Sequence, residues 1–226
     1  LYGDDTLKQV DRDYEHISKA LEASSHIPAK VIFKPVLTTP DAILKLCMEA
    51  NTAADCIGLI TWMHTFSPAK MWIAGLKALQ KPFVHLHTQF NRDIPWSSID
   101  MDFMNLNQSA HGGREFGFIG SRMHINRKVV VGHWQDEDVL RKLSVWIRAA
   151  AAWYDSQNMK IARFGDNMRE VAVTEGNKVS AQMQMGYSVS GYGVGDLVAC
   201  MEAVSDKDTE KMVAEYIDEY KVDKKQ

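Results

Sequence analysis

Cysteine is scarce in this chain of 226 residues: Cys47, Cys56 and Cys200 are an odd number, far apart, with no CxxC pair. That excludes a disulfide framework or a zinc ribbon, and fits free thiols in a reducing compartment, so a cytoplasmic setting is expected. Charge of one sign is missing too. With 26 basic and 29 acidic residues the formal net charge is -3, leaving no basic field to draw nucleic acid. No apolar run approaches the ~20 residues of a membrane-spanning helix, and no signal-like segment opens the chain. Equally absent are a GxGxxG turn after a strand, a Walker A loop and a GxSxG elbow. Dinucleotide binding, P-loop chemistry and α/β-hydrolase chemistry are thereby disfavoured.

What is present is an ordinary globular composition, 46% hydrophobic and 24% charged. Strand-like and helix-like patterns alternate along it. Leu7, Val10, Tyr14, Ile17 and Leu21 follow helical spacing from Thr6 to Ser25. Val31-Ile32-Phe33 reads as a short strand before Pro35. Thr38 or Thr39 can cap a helix with Pro40 in its first turn, running to about Asn51. Cys56 to Thr65 is almost continuously apolar, as in a strand covered on both faces. A helix through Trp72, Leu76 and Leu79 ends at Lys81-Pro82. Phe83 to Phe90 and Lys128 to Trp134 read as strands. Ser97 to Gln108 and Asp136 to Gln157 read as helices, with His111-Gly112-Gly113 as a break between elements.

This alternation predicts an α/β fold with a doubly wound, mainly parallel sheet of Rossmann or flavodoxin type over residues 1–158. A second α/β domain is expected to begin at 159, with a strand at Lys160 to Phe164, a loop at Gly165 to Glu170, further strand and helix over Val179 to Val204, and a last helix over Asp206 to Tyr220. The chain opens on Leu1-Tyr2-Gly3 and passes straight into a helix, which reads as a fold whose first strand is missing, and the second domain reads as truncated. Such a piece is expected to be marginally stable alone.

Ligands of such sheets bind beyond the carboxyl ends of the strands. Those ends are rich in His, Gln and aromatic residues: His64-Thr65-Phe66, Thr88-Gln89-Phe90 and His133-Trp134-Gln135. His85 and His87 share one face of a strand, as two metal ligands would, or as two histidines hydrogen-bonded to loops would. The loops around His111 and around Met168 can bring backbone close to a ligand, or be plain turns. Trp62, Met63, Met71 and Trp72 suit a pocket wall, and suit a core more often.

Five segments together resemble bacterial L-arabinose isomerase: HTFSPAKMW (His64 to Trp72), HTQFN (His87 to Asn91), PWSSIDMDFMNLNQSAHGGREFGFIG (Pro95 to Gly120), GHWQD (Gly132 to Asp136) and RFGDNMREVAVT (Arg163 to Thr174). The resemblance runs colinearly from Leu1 almost to the end. It implies a cytoplasmic aldose–ketose isomerase of arabinose catabolism, taking L-arabinose to L-ribulose and in many members D-galactose to D-tagatose. A proton moves through an enediol, with a divalent metal, usually manganese (Mn2+), steadying the charge. Two glutamates and two histidines hold that metal and the glutamates act as the acid–base pair. These positions match nothing up to Gln226, so the chain is expected to lack the metal and catalytic groups and to be inactive alone. The matched positions on the substrate side are Leu1, Phe66, Gln108, His111 and Met168, with Gln108 and His111 serving a neighbouring subunit of a homo-oligomer, typically a hexamer. The competing readings from the residues are a non-catalytic sugar-binding module of two Rossmann-like domains and a flavodoxin-like electron carrier.

Overall fold

A computed structural model describes residues 4–66 and 68–222. It divides into two compact units, 1–154 and 155–226.

The first unit is built on a three-stranded parallel sheet in the order β1 (Leu59–Thr61), β2 (Phe83–His87), β3 (Lys128–Val131). Parallel neighbours require crossover connections. The chain supplies a 3-10 turn at Ala69–Trp72 and helix α3 (Ile73–Ala78) between β1 and β2. Between β2 and β3 lie α4 (Met101–Leu106) and α5 (Ser109–Arg122). Helix α1 (Asp4–Ala23) and helix α2 (Pro40–Thr52) precede β1, and α6 (Glu137–Ser156) follows β3.

The period-two alternation of β2 divides the core between two faces. Val84 and Leu86 pack with Val130, Val139, Leu143, Ile147 and Ile27 on the face covered by α6. Phe83 packs with Met63, Leu76, Phe116 and Ile119 on the face covered by α3 and α5. The α/β class and the helices on both faces match the sequence reading. Thr39 caps α2 as expected, its hydroxyl accepting from the Ala42 N–H at 3.2 Å.

Three expectations fail. Val31 to Phe33 forms no ladder with any described strand. The Val31 N–H is instead directed to the Glu22 carboxylate at 3.4 Å and the Val36 N–H to Asp11 at 3.1 Å. The run from Cys56 to Thr65 is a strand only over three residues, since β2 offers partners to Leu59, Ile60 and Thr61 alone. Most instructive is the His111-Gly112-Gly113 segment, which lies inside the first turns of α5 rather than between elements. Gly112 and Gly113 are buried there.

The second unit pairs β4 (Lys160–Phe164) with β5 (Ser188–Tyr192) in parallel. Helices α7 (Lys178–Met185), α8 (Val194–Glu202) and α9 (Asp206–Glu219) accompany them. Among its described residues none is buried, and Val173, Val179 and Met183 are largely exposed. Backbone hydrogen bonds in water without apolar cover open readily. Amide hydrogen exchange on residues 1–226 is therefore expected to be at least about tenfold faster in β4 and β5 than in β2. Equal protection of the two sheets would contradict this assignment of the core.

Candidate functional site

Beyond the carboxyl ends of β1, β2 and β3 the loops are tied to one another by polar contacts. His64 Nδ1 lies 2.7 Å from the Leu106 carbonyl and His133 Nε2 lies 3.1 Å from that of Phe90. The Trp62 indole donates to Thr88 O at 2.9 Å. Asn107 accepts from the Asn91 N–H at 2.8 Å and donates back to the Asn91 side chain at 2.9 Å. Tyr14 from α1 meets Trp62, His64 and Phe90 with ring centroids 5.5 to 6.4 Å apart. This aromatic box fastens α1 to the strand ends. His64 and Trp62 are structural in it, buried or half-buried, which is the core reading of that cluster.

Phe66 and His111 stand together at the exposed margin of this end. Their rings lie 4.0 Å apart at 31°, while Phe66 remains 61% exposed. Two contacts hold the pair. The Glu115 carboxylate accepts from the Ala69 N–H at 3.2 Å, clamping the loop after β1 to α5. The Gln108 carbonyl accepts from the His111 and Gly112 N–H groups at 2.9 and 3.0 Å, opening the helix. Gln108 is half-buried and makes no side-chain cap bond, so its amide is available. Three of the five expected substrate-side residues therefore share one corner: Phe66, Gln108 and His111. Met168 is placed in the second unit, on a loop after β4 where it is 65% exposed. That loop turns at Gly165, with φ of 80°, and is pinned by Arg163 to Asn167, Asn167 to Glu175, and the Met168 N–H to Thr174 at 3.1 Å. Leu1 lies outside the described residues.

Gly113 explains why α5 can carry this corner. A Cβ at that position would stand 2.6 Å from His87 Cε1, so only glycine lets the helix settle against β2. His85 and His87 face α5, and His85 packs against Phe116 with ring centroids 5.0 Å apart. No group of three or more His, Cys, Asp or Glu side chains able to hold a metal occurs among the described residues. The metal alternative for His85 and His87 finds no further ligands. Sequence reasoning placed Phe90 at a strand end where a site was expected, but missed Tyr14, legible only as a member of a helical apolar pattern, and Asn107, read as a residue within a helix.

Burial sets the protonation of these histidines. Desolvation, then the nearby His87 and Arg127, lowers His85 to about 4. Desolvation also lowers His64, partly offset by its bond to Leu106, and lowers His87.

The chain as a whole matches a known family. The family model described as the L-arabinose isomerase N-terminal domain matches residues 1–158, and that of the L-arabinose isomerase central domain matches 160–226. The chain is 66% identical over 220 residues to the L-arabinose isomerase of Koribacter versatilis, covering 97% of this chain and 44% of that protein. It is 64% identical over 222 residues to that of Herpetosiphon aurantiacus (98% and 44%) and 59% identical over 222 residues to that of Geobacillus stearothermophilus (98% and 45%). It thus spans less than half the length of these curated relatives.

Two outcomes are expected from the packing. Gly113→Ala should cost about 1–3 kcal/mol by urea denaturation, and adding His87→Ala should recover at least half of it. No recovery would mean that His87 is not the obstacle. The folded pKa of His85 lies below its ordinary 6.5, so on acidification the unfolded chain takes up this proton first. Stability is full above pH 6.5 and falls as pH drops towards 4, by up to about 3 kcal/mol in total. In His85→Leu the slope between pH 6.5 and 5 should be visibly shallower in the same denaturation series.

Proposed function

Because this chain belongs to the L-arabinose isomerase family through its N-terminal and central domains, we propose that the protein containing it interconverts L-arabinose and L-ribulose. The observation that carries the reading is sequence identity of 56–66% to relatives of that name across nearly the whole chain. The reaction moves a proton between the second and first carbons of the open sugar through an enediol. Nothing among the described residues forms a metal donor set, and no acid–base pair is assigned to them. The divalent metal, manganese in this proposal, and the proton-transfer groups belong to the remainder of the protein.

The role left to this chain is binding. Phe66 offers an aromatic face to the C–H groups of a sugar. His111 and Gln108 offer hydrogen bonds to its hydroxyls from a helix end that the Glu115–Ala69 contact keeps in place. Met168 and Leu1 are proposed as substrate-side positions from the family resemblance alone. The corner is open and exposed, in keeping with a site shared between subunits of a homo-oligomer, a hexamer in this proposal. D-galactose, converted to D-tagatose, is proposed as a second substrate.

The test is ketose formation from L-arabinose by the full-length protein with added manganese, beside residues 1–226 alone. Turnover is expected only in the former. His111→Ala in the full-length protein should lower kcat/KM by about 10- to 100-fold, the scale of one or two lost polar contacts, and Phe66→Ala should raise KM. A full-length protein that binds arabinose without converting it would replace the isomerase with a sugar-binding module.

A further inference from the structure

The loop that carries Phe66 leaves β1 after Thr61 and ends in the 3-10 turn at Ala69–Trp72. It reaches the substrate corner with little of its own to hold it there. Phe66 is 61% exposed, and its one ring contact among the described residues is with His111. Burial therefore contributes little to fixing the ring. Among the described residues a single hydrogen bond ties residues 65–69 to another element, from the Ala69 N–H to the Glu115 carboxylate at 3.2 Å.

That bond fills a gap which the loop cannot fill itself. The first N–H groups of a helical turn have no partner inside it, and a side chain just before the turn usually caps them. Here the preceding residue is Pro68, which makes no side-chain cap bond. Ala69 is 1% exposed, so its N–H cannot turn to water instead, and a buried donor left unpaired is costly. The cap comes from α5, 46 residues further on. Glu115 stands one helical turn beyond His111 on the same face of α5. The loop is thereby held at two points, Phe66 against His111 and Ala69 against Glu115. Only the second is a directional bond to a charged acceptor, the stronger kind. Glu115 joins no ion pair among the described residues, so charge pairing does not account for it.

We propose that Glu115 is a positioning residue for the substrate corner: by capping the turn after β1 from α5, its carboxylate sets where the Phe66 ring stands relative to His111. It acts on sugar binding through Phe66 and not by touching the sugar. The proposal rests on the substrate role given above to Phe66 and His111.

The experiment measures ketose formation from L-arabinose by the full-length protein and its variants, with amide hydrogen exchange on the same samples. Glu115→Ala is expected to raise KM about tenfold with kcat within about twofold, the pattern of lost binding rather than lost chemistry. Exchange of the Ala69 amide should quicken at least about tenfold while that of β2 is unchanged, which shows the fold intact. Glu115→Gln keeps an acceptor oxygen and should recover most of both losses. In a Phe66→Ala background, Glu115→Ala should change KM by less than about twofold, because the ring it positions is gone. Effects that multiply instead would mean that Glu115 acts on its own, and overturn the proposal. So would a Glu115→Gln variant as impaired as Glu115→Ala. An unchanged KM in Glu115→Ala, beside a raised KM in Phe66→Ala, overturns it and leaves the corner standing. An unchanged KM in Phe66→Ala removes the corner and the proposal together.

Discussion

Strand β2 is paired on both edges and covered on both faces, so its alternate side chains must suit two different layers. Val84 and Leu86 go to α6 and meet a wholly apolar partner surface. Phe83, His85 and His87 go to α5, which cuts the imidazoles off from water and leaves His85 Nε2 with no hydrogen-bond partner among the described residues. Gly113 removes the Cβ that would collide with His87, and Phe116 closes over His85. The desolvation that follows keeps the imidazoles uncharged near neutral pH, as burial does for any cationic group without a counter-ion.

The position of α5 then fixes the corner at its N-terminus. Its first turn carries Gln108 and His111 to the strand-end margin, and the Glu115 carboxylate holds the loop bearing Phe66 against it. An aromatic ring facing an imidazole at an open surface is poorly explained by stability, since Phe66 gives up most of the burial it could have gained. The aromatic box of Tyr14, Trp62, His64 and Phe90 has the opposite character. The Trp62 indole N–H and His64 Nδ1 each meet a backbone carbonyl, and the cluster behaves as a clasp for α1.

Legibility in the sequence followed the range of the interactions. Helix α2 was legible from Thr39 and Pro40 because capping is local, and α6 from its long amphipathic period. The α/β class was legible from alternation alone. Val31 to Phe33 misled because β-propensity describes a residue that fits a sheet, and the ladder needs a neighbour that no local pattern reports. Gly112-Gly113 misled because glycine serves both as a helix stop and as a point of close approach, and His87 lies 26 residues away in sequence. Phe66 and His111 were named by family resemblance. That their rings meet across 45 residues of chain could not be read from composition or spacing.

The two units differ in how much of their structure their own residues explain. In residues 1–154, polar atoms at the strand ends find partners and the apolar residues of β2 find two layers. In residues 155–222, β4 and β5 pair over five residues each, yet no side chain is buried. A parallel pair exposed on both faces contradicts the rule that such sheets are covered. The loop bearing Met168 is nevertheless pinned in detail by Arg163, Asn167, Thr174 and Glu175. Local hydrogen bonds therefore set the shape of that loop, which lets a surface side chain be placed with little help from packing.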